Sequence, residues 1–133
     1  MKINDFLQKM WDDYCHLNPH IDQVLNLIKS KEPLEIINDH IALRTFNHKK
    51  LNRHILSEYF LENGYEAVED LVFTNKKLKA TYFINSDPVL PRIFISELLL
   101  ENFSDSFCEI INKKIDEVDI RSVSDPFFLT SGI

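Results

Sequence analysis

Between Asp39 and Phe46 the sequence reads Asp-His-Ile-Ala-Leu-Arg-Thr-Phe, and its alternation constrains the fold more than any other stretch of the chain. Side chains at i, i+2 and i+4 of a strand point the same way. His40, Ala42, Arg44 and Phe46 therefore share one face, and Ile41, Leu43 and Thr45 share the other. The second face reads as core. On the first, an imidazole able to bind a metal stands about 13 Å along the strand from a permanent cation, at about 3.3 Å per residue. Only the small Ala42 lies between them, which leaves room for a small anionic ligand.

The rest of the chain supplies elements to surround that strand. Ile3, Phe6, Leu7, Met10, Trp11, Tyr14 and Leu17 recur at helical steps and predict a helix with one apolar stripe. Asn18-Pro19 ends it and opens a second helix, with Asn18 as N-cap and Pro19 at the first helical position. Ile21, Val24, Leu25 and Ile28 are the expected buried side of that helix. Residues 32–37 read as a connector. After the first strand, Leu51, Ile55, Leu56, Tyr59 and Phe60 mark a helix that stops at Asn63-Gly64. Tyr65 to Phe73 carries apolar residues without clean alternation and is expected to hold a short or irregular strand. Leu78 to Ile84 alternates cleanly. Arg92 to Leu98 does too, with Ile93, Ile95 and Glu97 on one face and Phe94, Ser96 and Leu98 on the other. Ser104 caps a last helix with Phe107, Cys108, Ile111 and Ile115 as its stripe, and an apolar tail runs from Asp125 to Ile133.

The expected fold class is α+β: one β-α-β-β-β module over residues 37–100, preceded by a helical hairpin and connector (1–36) and followed by a helix and tail (101–133). At 133 residues this is a single domain. Such a module makes a curved sheet with a helix on its convex side and an open concave face that needs a partner.

Composition removes several functions. A net charge of -6, with only short basic clusters at Lys49-Lys50 and Lys76-Lys77-Lys79, speaks against nucleic-acid binding. No apolar run approaches the length of a membrane span. The amino terminus enters an amphipathic pattern directly, without a signal peptide, so a cytoplasmic protein is expected. Cys15 and Cys108 lie far apart and outside any Cys/His cluster, and read as small core residues. His16 and His20 are four apart, but Pro19 breaks the helical register between them. The two glycines leave no phosphate-cradling loop, and no nucleophile-elbow or zincin motif occurs.

Chemistry then rests on a few polar residues. His40 is either a hydrogen-bonded strand histidine or a metal ligand. If the first and last strands line one concave surface, His40 and Glu97 meet there, and imidazole plus carboxylate suits Fe, Mn or Zn. A third ligand is not evident. Arg44 is either an ion-pair partner of Asp39, Glu97 or another carboxylate, or a bidentate grip on a substrate carboxylate. Glu97 is either a metal or substrate contact or an ion-pair residue, and Ser96 is a candidate hydrogen-bond donor to ligand. Tyr82 and Arg92 read equally well as structural.

The strings Ile37 to Phe46, Gly64-Tyr65, Lys77-Leu78-Lys79-Ala80 and Pro91-Arg-Ile-Phe-Ile-Ser-Glu-Leu98 together resemble the N-terminal part of the 2-oxoadipate dioxygenase/decarboxylase family, also called hydroxyglutarate synthase-like. That family is similar to vicinal-oxygen-chelate folds, in which paired β-α-β-β-β modules surround a non-haem Fe(II) held by two His and one Glu. The resemblance implies a metal-dependent oxidative decarboxylation of a 2-oxo dicarboxylic acid, with Fe(II) or another divalent transition metal as cofactor and O2 as co-substrate. It implies His40 as the first metal histidine and Arg44 as the arginine that holds the substrate carboxylate. Glu97 lies in its Ser-Glu-Leu motif, but the family's metal Glu and second His are expected in a second module. The sequence is therefore expected to be a half-length or truncated member with an incomplete site, completed either by a second module or by a homodimer that pools His40 and Glu97 from two copies. The tail would then cover core or interface. The reading from another class is a non-catalytic half-module that binds a small acid or a partner protein.

Overall fold

All three alternating stretches form strands of one four-stranded sheet. The computed structural model describes residues 1–31, 36–119, 123 and 125–130. The strands are β1 (His40–Phe46), β2 (Tyr65–Phe73), β3 (Leu78–Asn85) and β4 (Arg92–Leu98), and the helices are α1 (Ile3–Leu17), α2 (Ile21–Lys31), α3 (Arg53–Glu62) and α4 (Asp105–Asp116). The sheet order is β1-β4-β3-β2. β1 and β4 run parallel, and the other pairs are antiparallel. This is the β-α-β-β-β module expected from the sequence, with α3 as the crossover.

The register sorts the sheet into two faces. Ile41 and Leu43 of β1 stand level with Ile93 and Ile95 of β4, and Ile93 stands level with Phe83 of β3. This face meets Phe6 and Met10 of α1 and Leu56, Tyr59 and Phe60 of α3 to form the core. Phe6 touches the rings of Tyr59 and Phe60, with centroids 4.6 and 5.6 Å away, and Phe60 meets Tyr65 edge-on at 5.7 Å. Each of these side chains contributes roughly 1.5–3 kcal/mol on burial.

α3 is bounded as its sequence indicates. Asn52 Oδ1 accepts from the amides of His54 and Ile55 at 3.0 and 3.1 Å, so Leu51 lies just ahead of the cap. At the other end Gly64 takes φ +83°, a left-handed conformation that costs a residue with Cβ more than glycine.

β2 is longer and more regular than its pattern suggested, because the pattern is broken by a bulge. The pairing with β3 shifts between Ala67 and Glu69. Tyr65 and Ala67 therefore lie on the core face, while Leu71 and Phe73, beyond the bulge, stand level with Ala80 and Leu78 on the other face. One inserted residue moves the later side chains across the sheet.

The helical hairpin departs from expectation at its turn. Asn18 closes α1 instead of opening α2: its amide bonds to the carbonyls of Tyr14 and Cys15, and its Nδ2 donates to Tyr14 O at 2.8 Å. Val24 N donates to His20 O at 3.3 Å, which puts His20, not Asn18, at the N-cap position of α2. α2 begins at Ile21, and no residue in it is buried. Val24 and Ile28, expected on its buried side, are about half exposed at 49% and 47%. Ser104 caps α4 by accepting from Phe107 N at 3.3 Å. In the tail, Phe128 and Leu129 pack on the core, whereas Phe127 lies in the open with Lys9 Nζ 4.8 Å from its ring centroid. Ile133 and most of the connector, 32–35, lie outside the described residues.

Candidate functional site

The face of the sheet away from the helices is open along β1: His40, Ala42 and Arg44 are all exposed. The parallel register sets Arg92 beside His40, Phe94 beside Ala42 and Ser96 beside Arg44. β3 adds Tyr82 next to Phe94 and Ala80 next to Ser96. An open depression of about 740 Å³ lies here, floored by Ala42, Tyr82, Ile84 and Phe94 and edged by His40 and Arg92. An apolar floor with the Arg92 guanidinium at its edge, beside His40 and Asp39, suits a small organic ligand with a polar end.

Arg44 sits without a carboxylate partner among the described residues. Asp39 bonds to His40 Nδ1 at 3.1 Å and lies 3.9 Å from Arg92, and Glu97 is engaged elsewhere. Arg44 instead donates through Nε to Ser96 Oγ at 2.7 Å, and Ser96 donates to Leu43 O at 3.2 Å. Ser96 is 2% exposed. Ser96, expected as a hydrogen-bond donor to ligand, here gives its hydrogen to a backbone carbonyl and accepts from Arg44, so it stands behind the arginine.

His40 has a partner that the sequence reading did not assign to it. An ionised carboxylate can only accept, so Nδ1 donates to Asp39 and the ring is oriented with Nε2 turned away from that contact. Metal-ligating histidines are commonly oriented in this way. The signal was the acidic residue immediately before the histidine.

Glu97 does not join His40. It stands level with Thr45 of β1, on the core face, and is 4% exposed. The Arg53 amide donates to its Oε2 at 3.0 Å, and the Arg53 guanidinium pairs with Oε1. That guanidinium also donates to Thr81 Oγ1 at 2.9 Å and to Asp70 Oδ2 at 3.0 Å. The Thr81 hydroxyl beside Asp70, helped by Lys79 and Arg53, holds the Asp70 carboxyl below the usual carboxylate range against the opposing effect of burial. Glu97 is thus a structural anchor for the start of α3. The correction follows from parity: odd-numbered residues of β4 face the helices, and His40 is level with the even-numbered Arg92. Arg53, the centre of this network, was missed by sequence reasoning because a lone arginine at a helix start carries no pattern.

Among the described residues the candidate donors do not come together. Among the described residues no group of three or more His, Cys, Asp and Glu side chains could hold an ion. His40 offers one imidazole, and the carboxylate paired with it in the sequence reading faces the other way. A homodimer built on His40 and Glu97 of each copy loses both carboxylates for the same reason. Among the described residues no helix is long and apolar enough to cross a membrane.

The sequence and the fold are similar to those of known proteins. A family described as 2-oxoadipate dioxygenase/decarboxylase matches residues 6–126. The chain is 35% identical over 118 residues to the chloroplastic 2-oxoadipate dioxygenase/decarboxylase of Arabidopsis thaliana, covering 80% of this chain and 32% of that protein. The chloroplastic/amyloplastic counterpart of Oryza sativa subsp. japonica is 38% identical over 114 residues, with 77% and 31% covered. Among solved structures, the hydroxyglutarate synthase of Oryza sativa in complex with 2-oxoadipate superposes with a TM-score of 0.88 at 34% identity, over 96% of this chain and 44% of that one. A protein from Shewanella frigidimarina NCIMB 400 gives 0.90 at 39%, over 98% and 50%. A glyoxalase superfamily protein from Ralstonia eutropha JMP134, at 17% identity and a TM-score of 0.66 over 84% and 39%, shares the fold. The chain spans about a third of the length of the curated relatives it matches and half or less of the solved chains. Matched over nearly its whole length, the chain belongs to the 2-oxoadipate dioxygenase/decarboxylase family.

Proposed function

We propose that this chain provides the carboxylate-anchoring half of a metal-dependent dioxygenase/decarboxylase site for a 2-oxo dicarboxylic acid, with 2-oxoadipate as the ligand to test first. The observation that carries this reading is Arg44: a guanidinium on the open face, fixed by Ser96 and free of any carboxylate among the described residues. Its terminal nitrogens can grip one substrate carboxylate through parallel charge-assisted hydrogen bonds. Phe94, Tyr82 and Ala42 give the aliphatic part of the substrate an apolar floor, and His40, oriented by Asp39, offers Nε2 to a metal. Fe(II), or another divalent transition metal, would supply the chemistry with O2 once its remaining ligands are in place. Those ligands are the contribution of a second module, for which the greater length of the relatives leaves room.

The test is metal retention. The chain equilibrated anaerobically with Fe(II) is expected to bind it only weakly, through His40, and His40→Ala should abolish what is bound. Full occupancy and 2-oxoadipate-dependent O2 uptake are expected only when a second module or partner completes the set. If His40→Ala leaves iron binding and O2 uptake by that completed assembly unchanged, the metal reading fails. The absence of a ligand cluster among the described residues favours a second reading, a non-catalytic half-module that binds a small acid through Arg44. Substrate binding without turnover, even in the completed assembly, would select it.

A further inference from the structure

The structure assigns Ser96 as a positioning residue that fixes how Arg44 presents its guanidinium, an inference that rests on the carboxylate-anchoring role proposed above. An exposed arginine on a strand is spread over many rotamers, and binding must freeze them. Here the side chain is tied at Nε. Arg44 donates that hydrogen to Ser96 Oγ at 2.7 Å, and the direction is forced, because a guanidinium has no acceptor. Ser96 cannot turn away: it is 2% exposed, and its own hydrogen is held by Leu43 O at 3.2 Å. Its neighbour across the sheet is Ala80, which is fully buried and too small to compete for the hydroxyl.

The consequence is specific. A guanidinium can take a carboxylate side-on, through Nε and one Nη, or end-on, through both Nη atoms. With Nε committed to Ser96, the end-on mode remains, and it places the carboxylate beyond the two Nη atoms, in line with the side chain. Ser96 thereby selects the orientation of the acid without touching it.

Two measurements on the full chain test this. The first needs no ligand: the Arg44 Nε hydrogen should exchange slowly with solvent in the wild type and in Ser96→Thr, and rapidly in Ser96→Ala. Equal exchange in wild type and Ser96→Ala overturns the assignment. The second is a double-mutant cycle read by titration with 2-oxoadipate. Ser96→Ala should weaken binding by about 3- to 10-fold, Arg44→Ala by about 10- to 100-fold, and Ser96→Ala should cost nothing further once Arg44 is alanine. A merely structural serine would weaken binding equally in both backgrounds, and that result overturns the inference. If Arg44→Ala weakens binding and Ser96→Ala does not, Ser96 loses its role while the anchoring role of Arg44 stands. If Arg44→Ala itself has no effect, both fall together. Should the added methyl of Ser96→Thr not fit beside Ala80, the cycle with Ser96→Ala still decides.

Discussion

At the scale of single residues, Glu97 and His40 divide the work of the two sheet faces. Glu97 is buried against Arg53, and both side chains are only 6% exposed. Glu97→Ala would leave that buried guanidinium with the half-exposed Asp70 as its remaining carboxylate, so we expect a loss near the lower end of about 3–5 kcal/mol in urea unfolding with no change in metal or ligand binding. A loss of metal binding at unchanged stability would return Glu97 to the site. Tyr65 gives a pH signature. Burial pushes its phenol up to about 12, with the Asp87 carboxylate adding to the effect, and its hydroxyl donates to Pro91 O at 2.9 Å. Because the folded value is raised, the contribution to stability is complete below the ordinary value of about 10 and is lost as pH rises from there towards 12. Tyr65→Phe should flatten that alkaline limb, and an unchanged limb would contradict the assignment. Both strands of the site were legible in the sequence, including which residues share a face. What was not legible was which face of β4 lies level with which face of β1, since register is set by pairing between distant segments. The alternation already grouped Glu97 with Ile93 and Ile95, and their apolar company was the available clue.

At the scale of elements, the turn chemistry was readable and the irregularities were not. Asn63-Gly64 ends α3 as its residues indicate, and Gly64 at φ +83° is where a substitution is costly. A Cβ there would lie 3.4 Å from Asn85 Nδ2, an ordinary contact, so backbone strain sets the penalty. Gly64→Ala should destabilise by about 1–2 kcal/mol, measured by thermal or urea unfolding; a neutral result would mean that the turn relaxes. The bulge after Ala67 hid β2, because a one-residue insertion defeats any search for strict alternation. Asn18 misled for a related reason: a carboxamide can serve either helix that it adjoins, and only the fold decides. The apolar stripe of α2 is only partly covered: Ile21 and Leu25 are half-buried, while Val24 and Ile28 are exposed.

At the scale of the whole molecule, one β-α-β-β-β module uses one face of its sheet for a core and leaves the other open along β1. The core face, with α1 and α3 over it, gathers the apolar sides of strands and helices that periodicity marks one by one. The open face carries its meaning in three polar positions: His40 turned by Asp39, Arg44 tied by Ser96, and Arg92 at the rim. We propose that this face holds a small dicarboxylate through Arg44 before any metal is added. Titrating the full chain with 2-oxoadipate in the presence of a chelator, wild type beside Arg44→Ala, tests that claim most directly. Amide shifts should gather on residues 40–46 and 92–98, with affinity reduced in Arg44→Ala by about 1.5–3 kcal/mol, the scale of hydrogen bonds to a charged group. Equal binding by the two proteins, or shifts gathered away from those strands, would contradict it.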